Sequence, residues 1–213
     1  MTRLLLIRHG ESQANREGFF AGQTDVPLEE KGLFQARMTA DFIVSSYTAD
    51  KVYASDLRRA YDTGKAVADR LGLEAIPDSR LREIYAGKWQ GRKFTDIIAQ
   101  YSSDYQAWLT DIGNCVCTEG ESVAQLGSRV LEALTDIARA NPEKTVVIAT
   151  HATPIRVLQC LLGGHSLDHM KDIPWVSNAS VTELTYNEGI WKLEKIGQDS
   201  HLSDLKTTFP ANV

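Results

Sequence analysis

Two short apolar runs break off directly into a histidine. Residues 4–7 (LLLI) lead into Arg8-His9-Gly10, and residues 145–150 (TVVIAT) lead into His151. A run of four to six apolar or β-branched residues without polar alternation reads as a strand buried on both faces, the kind found inside a parallel sheet covered by helices. The stretches between fit that scheme. Leu33, Ala36, Ala40, Ile43 and Val44 recur at helical spacing, and KVYAS (51–55) is a further strand. Ser55 or Asp56 can cap the helix after it, whose apolar face runs through Leu57, Ala60, Tyr61, Gly64, Ala68 and Leu71.

Ser122 and Gln125 fit a capping box that opens a helix with the stripe Val123, Leu126, Val130, Leu134 and Ile137, stopped at Asn141-Pro142. After TVVIAT, Thr153-Pro154 reads as an N-cap and first helical residue, with Gly163-Gly164 closing that helix. Two late strands, SVTELTY and WKLEKI, flank the turn Asn187-Glu188-Gly189 and predict an antiparallel edge hairpin. The expected fold is an α/β, three-layer α/β/α sandwich with a mostly parallel sheet and antiparallel edge strands. No repeat or linker divides the chain, so one domain over 1–213 is expected.

Composition narrows the ligands. A net charge of -5 argues against an electrostatic grip on nucleic acid or an anionic membrane, so an anionic ligand needs a local cluster of cations. No apolar run is long enough to span a membrane, and LLLI is too short for a signal-peptide core. Cys115, Cys117 and Cys160 form an odd, sparse set typical of reduced thiols. A cytoplasmic location is expected, where the acceptor pattern Asn178-Ala179-Ser180 carries no meaning.

Parallel sheets bind ligands beyond the carboxyl ends of their strands. Arg8-His9, Arg58-Arg59 and His151 all stand there, although more than a hundred residues separate the first from the last. One histidine in this setting would read as an ordinary core residue; the convergence of two with arginines does not. Guanidinium forks match phosphate or carboxylate, and the helix starts near Ser55 and Thr153 add N–H donors. A GxxxxGK[ST] phosphate loop is absent, and the rim holds no convincing carboxylate–histidine metal set. The pattern points to group transfer through a central histidine with no cofactor and no metal.

RHGESQAN (8–15), GQTDVPLEEKG (22–32), SDLRRAYDT (55–63), LREIYAGKWQG (81–91), GES (120–122), ATHATPIR (149–156) and SNASVTEL (177–184) resemble, in this order, the motifs of the histidine phosphatase, or phosphoglycerate mutase-like, superfamily. LREIYAGKWQG and LDHMKDIPW (167–175) are closest in look to bacterial broad-specificity phosphatases. The resemblance implies that His9 attacks phosphorus, that Arg8, Arg59 and His151 hold the phosphoryl oxygens, and that Glu83 serves as proton donor and then base. It also implies that Asn15 adds a neutral hydrogen bond. Arg59, not Arg58, stands immediately before the Ala of the family pattern. Ala152 replaces a usual Gly, its N–H still serving the phosphate; Ala21 replaces a usual polar residue, for which Gln23 or the Gly22 backbone can stand in.

An insertion at about 92–120 corresponds to a small helical lid, with Phe94, Tyr101, Tyr105 and Trp108 as candidates for a substrate wall. His165 and His169 read as a solvated connection, His201 as structural, and the Cys115–Cys117 pair as too weak for a redox or metal site. The expected function is hydrolysis of small soluble phosphomonoesters by a monomer or homodimer. A 2,3-bisphosphoglycerate-dependent mutase is the first alternative and a non-catalytic phospho-ligand module the second. The stretch 90–119 carries only Arg92 and Lys93 as cations against Asp96, Asp104 and Asp111, which favours water as acceptor over a carboxylate-bearing mutase substrate.

Overall fold

The computed structural model describes residues 1–207; residues 208–213 of the expected domain lie outside that description. Its centre is a six-stranded sheet built around β1 (Thr2–Arg8). The short helix α1 (Gln13–Glu17), the two-residue β2 (Phe19–Phe20) and the long α2 (Glu30–Ser46) follow. Next come β3 (Lys51–Ala54), α3 (Arg58–Leu71) and β4 (Ala75–Pro77). The insertion holds β5 (Arg92–Lys93), α4 (Phe94–Gln100) and α5 (Ser102–Thr110). Then α6 (Val123–Ala140), β6 (Thr145–Thr150), α7 (Ala152–Leu162), β7 (Val181–Asn187) and β8 (Ile190–Gln198) complete the series.

The strand order is β4-β3-β6-β1-β7-β8. β4, β3, β6 and β1 run parallel, while β7 is antiparallel to both β1 and β8. The expected architecture of a mostly parallel sheet with an antiparallel edge is therefore observed. The apolar runs divide between two layers by strict alternation. Leu4 and Leu6 of β1 join Val146 and Ile148 under α6 and α7, whereas Leu5 and Ile7 join Val52 and Val147 under α2 and α3. The 92–120 segment is packed into the larger layer, where Ile97, Tyr105, Trp108, Ile112, Cys115 and Cys117 are buried.

Several local expectations need correction. The helix after β3 is capped at Leu57, not Ser55 or Asp56; Ser55 Oγ accepts a hydrogen bond from the Leu57 N–H instead. α7 begins at Ala152 with His151 as N-cap, so Thr153 and Pro154 lie inside the first turn. Proline costs nothing there, because the first N–H groups of a helix have no intrahelical acceptor. Leu33 and Val44 of α2 are exposed, and only Ala36, Ala40 and Ile43 of that stripe reach the core. The capping box at Ser122 and Gln125 is present. The hairpin closes through Glu188 and Gly189, both at positive φ, as a two-residue turn of this hand demands.

Gly10 is where packing admits no other residue. A Cβ there would lie 2.4 Å from the Gly32 carbonyl oxygen, and one on Gly32 would lie 2.0 Å from that of Glu11. The loop after β1 thus presses onto the start of α2, backbone against backbone.

Candidate active site

β1, β3 and β6 end at one rim of the sheet, and the chain leaving each strand contributes to a single pocket. Arg8, His9, Asn15, Gly22, Arg59, Glu83, Ala152 and Thr153 line its polar part. Ala14, Phe19, Phe20, Phe94, Trp108 and Trp175 line an apolar part.

His9 is 5 % exposed, and its Nδ1 lies 2.7 Å from the carbonyl oxygen of Gly10. A carbonyl only accepts, so Nδ1 carries the proton and Nε2 the lone pair. Arg59 Nε donates to Nε2 at 3.3 Å, in keeping with that tautomer. Burial, then the charges of Arg59 and Arg8, hold the His9 pKa well below its ordinary value. The ring is neutral at neutral pH, with an available nitrogen between two cations.

Main-chain carbonyls accept from both cations, and the Glu83 carboxylate acts on both. Arg59 donates to Gly22 at 2.7 Å and Thr24 at 2.9 Å, and Arg8 donates to Val176 at 2.6 Å. Burial pushes the Arg59 guanidinium down to about 10 and that of Arg8 to about 9, so both keep their charge at neutral pH. Two buried guanidinium groups side by side make a site that favours a multiply charged anion. Arg58 points elsewhere, 63 % exposed and 3.8 Å from Asp62.

His151 is fully buried behind the polar floor, its ring 5.1 Å from that of His9 in an edge-to-face arrangement. Ser55 Oγ, which accepts from the Leu57 N–H, lies 2.9 Å from Nε2 and can donate its own proton there. Nδ1 is a buried atom with no hydrogen-bond partner among the described residues. Desolvation, with help from Arg59, keeps this ring neutral too. In the tautomer that receives the Ser55 proton at Nε2, Nδ1–H stands beside the guanidinium groups as a donor for an oxygen.

Glu83 faces the same cluster. Its Oε2 accepts from the Thr153 N–H at the start of α7 (3.3 Å), and Oε1 from its own neighbour Ile84 (2.8 Å). Asn15 Oδ1 accepts from Ser12 N–H (3.0 Å) and from Asn178 Nδ2 (3.4 Å), which leaves the Asn15 NH2 group as its donor end. Asn178 also donates to the His9 carbonyl at 2.9 Å.

Not every expected residue reaches the pocket. Gln23 does not line it; its side chain donates to the Glu83 carbonyl at 3.1 Å. Gly22, at φ 51°, contributes through its backbone. Of the four aromatic residues proposed for a substrate wall, Phe94 and Trp108 line the pocket, whereas Tyr101 and Tyr105 do not. Tyr105 is a core residue packed against Trp89. Phe19, Phe20 and Trp175 take their places.

The chain pattern gave little sign of these three, but Trp175 is firmly held. Arg156 lies 4.2 Å over its ring and donates to the carbonyls of Ile173 and Lys171. His165 and His169 lie outside the pocket, and no cluster of three or more His, Cys, Asp or Glu able to hold a metal occurs among the described residues. His201 stacks on Phe42 and faces Thr39, away from the pocket. Among the described residues no helix is long and apolar enough to cross a membrane.

The sequence profile of the histidine phosphatase superfamily (branch 1) matches residues 4–199. Phosphoserine phosphatase 1 of Hydrogenobacter thermophilus is 30% identical over 204 residues, covering 96% of either chain. An adenosylcobalamin/alpha-ribazole phosphatase of Salmonella typhimurium is 31% identical over 73% of this chain and 77% of its own. Among solved structures, Bacillus stearothermophilus YhfR superposes with a TM-score of 0.90 at 28% identity, covering 95% of this chain and all of that one. A mycobacterial glucosyl-3-phosphoglycerate phosphatase complexed with VO3 superposes with a TM-score of 0.85 at 30% identity, covering 92% of this chain and 99% of its own.

Proposed function

The chain belongs to the histidine phosphatase superfamily, and from that premise we propose that it hydrolyses small phosphomonoesters through a phosphohistidine on His9. The observation that carries this reading is the orientation of His9: Nδ1 is locked on Gly10 and a neutral Nε2 is left between Arg8 and Arg59. In the first step the Nε2 lone pair attacks phosphorus. The bond to the leaving oxygen breaks, and that oxygen keeps the electron pair and takes a proton from Glu83. Arg8, Arg59, the His151 Nδ1–H, the Asn15 amide and the Ala152 N–H hold the phosphoryl oxygens as charge redistributes. In the second step the Glu83 carboxylate takes a proton from water. The water oxygen attacks phosphorus, and the P–N pair returns to His9.

The leaving group meets the apolar part of the pocket. Among the described residues Arg8 and Arg59 are the cations lining it, and both face the phosphate end. A carboxylate-bearing leaving group finds no partner among Phe19, Phe20, Phe94, Trp108 and Trp175, so apolar or aromatic phosphomonoesters fit better than phosphoglycerate. The same feature favours water over a second hydroxyl as acceptor, and hydrolysis over mutase action. Phosphate release from a panel of phosphomonoesters, wild type beside His9→Ala, tests the reading. Release should vanish in the variant, and brief acid-free quenching of the wild type should trap an acid-labile phosphoenzyme. Unchanged release by folded His9→Ala overturns it.

A further inference from the structure

Glu83 sits on a piece of chain with no ladder of its own. Between the 3-10 turns Ser79–Leu81 and Gly87–Trp89 the backbone joins neither strand nor helix. Its polar groups must therefore find partners elsewhere. One side chain meets three of its carbonyls, one of which, that of Glu83, also accepts from Gln23 at 3.1 Å. Arg129, on α6, donates from Nη1 to the carbonyls of Arg80 (2.7 Å) and Arg82 (3.1 Å), and from Nη2 to the carbonyl of Glu83 itself (3.4 Å). Its other two N–H groups go to Glu121, Nε to Oε1 at 3.0 Å and Nη2 to Oε2 at 2.8 Å. All five donors of the guanidinium are thereby used.

Glu121 in turn fixes the far end of the segment. Its Oε2 accepts from the Tyr85 N–H at 3.0 Å, and its own N–H donates to the Tyr85 carbonyl at 2.7 Å. Arg129 does not line the pocket, and its five donors go to Glu121 and to main-chain carbonyls; its charge also acts on His151, and a lysine in its place keeps that charge. The cluster at His9, Arg8 and Arg59 is held separately, by the carbonyls of Gly10, Val176, Gly22 and Thr24. Of the groups around the phosphate, Glu83 alone depends on the α6 guanidinium for the course of its backbone.

We propose that Arg129, oriented by Glu121, is a positioning residue for proton transfer: it fixes the backbone from Arg80 to Tyr85 so that the Glu83 carboxylate meets the leaving oxygen. The inference rests on the reading of Glu83 as proton donor. It carries a signature that a merely structural role does not. Misplacing an acid slows esters whose leaving oxygen must be protonated and spares those that depart as stable anions. General damage to the pocket slows both alike.

The test compares kcat/KM for benzyl phosphate, which releases a basic alkoxide, with p-nitrophenyl phosphate, which releases a stable phenolate. Both are aromatic and meet the same wall. The ratio of the two constants does not depend on the fraction of folded enzyme, so a partly unfolded preparation still gives an answer. Arg129→Lys keeps the charge and loses the fork. It is expected to lower the benzyl value by about 10- to 100-fold and the p-nitrophenyl value by no more than about threefold.

Glu121→Gln, which weakens the clamp on Arg129, should move the ratio in the same direction by less. Glu83→Gln sets the limit, at about 100-fold or more on the benzyl ester. Equal losses on both esters, or no loss on either, in Arg129→Lys while Glu83→Gln discriminates would overturn the positioning role alone. A Glu83→Gln enzyme that loses equally on both esters overturns the proton-donor reading and this inference with it.

Discussion

Arg59→Met separates the two things that Arg59 does to His9. In the structure Arg59 donates to His9 Nε2, to the Gly22 carbonyl and to the Thr24 carbonyl, and it is 1 % exposed. Methionine keeps most of the apolar stem and removes the charge. The lost charge-assisted bonds to the phosphoryl group are of the kind whose removal costs about 2.7–4 kcal/mol, or 10²–10³ in kcat/KM.

The second effect has a sign. After burial, the charge of Arg59 is the largest influence holding the His9 pKa below its ordinary value. Without it the ring gains a proton more readily, and protonated His9 has no lone pair to attack with. The acid limb of kcat/KM against pH should therefore move to higher pH in the variant. Stopped assays with p-nitrophenyl phosphate across the acid and neutral range measure both quantities, since ionisation of the ester itself is common to the two enzymes. Arg58→Ala is the control: an exposed cation 3.8 Å from Asp62 should change activity by less than about twofold. An acid limb that stays in place or moves to lower pH in Arg59→Met refutes the coupling. A larger loss in Arg58→Ala refutes the choice of arginine.

The buried imidazoles also tie stability to pH. His9 and His151 have folded pKa values well below the ordinary 6.5, so as pH falls below about 6.5 the unfolded chain binds protons that the native state refuses. Each ring should cost about 1.4 kcal/mol per pH unit until its folded pKa is reached. Denaturant unfolding at about pH 7.5 and 5.5 should show this loss, and His151→Asn should reduce it; a flat profile contradicts two neutral buried rings. Gly10→Ala forces a Cβ to within 2.4 Å of the Gly32 carbonyl and should destabilise by about 1–3 kcal/mol, read as a lowered urea midpoint. Trp175→Leu should lower kcat/KM for benzyl phosphate relative to glycerol 3-phosphate by about three- to tenfold; an unchanged ratio removes Trp175 from the wall.

The sequence and the structure agree where one physical rule acts alone. LLLI and TVVIAT read as strands because burial on both faces leaves no polar position. The carboxyl ends of parallel strands then bring His9, Arg59 and His151 together. The disagreements arise where tertiary packing decides. β4 is only Ala-Ile-Pro, too short for a pattern and formed because β3 offers it an edge. Ser55 has the chemistry of a helix cap, yet its hydroxyl is turned to His151. Asn178, to which the sequence reading gave no role, binds the His9 carbonyl. Tyr101 and Tyr105 share helical spacing with Phe94 and Trp108, but spacing along a helix does not say which side faces a cavity and which the core. Trp175 comes from an irregular segment held by Arg156, a contact that no local pattern announces.

The position of β1 in the sheet bears on how the enzyme comes into being. It precedes every other strand of its sheet in the chain, and both strands that flank it, β6 and β7, come from residues 145–187. Until residues 145–150 have emerged, the carbonyls and N–H groups of LLLIR have no native neighbour on either edge, and an apolar strand with open edges is a template for wrong pairing. His9 waits with it. Pulse-labelled or refolding chains should gain the α2–α3 contacts early and acquire the ability to take up phosphate only in the last phase, when the centre of the sheet closes from its two late sides.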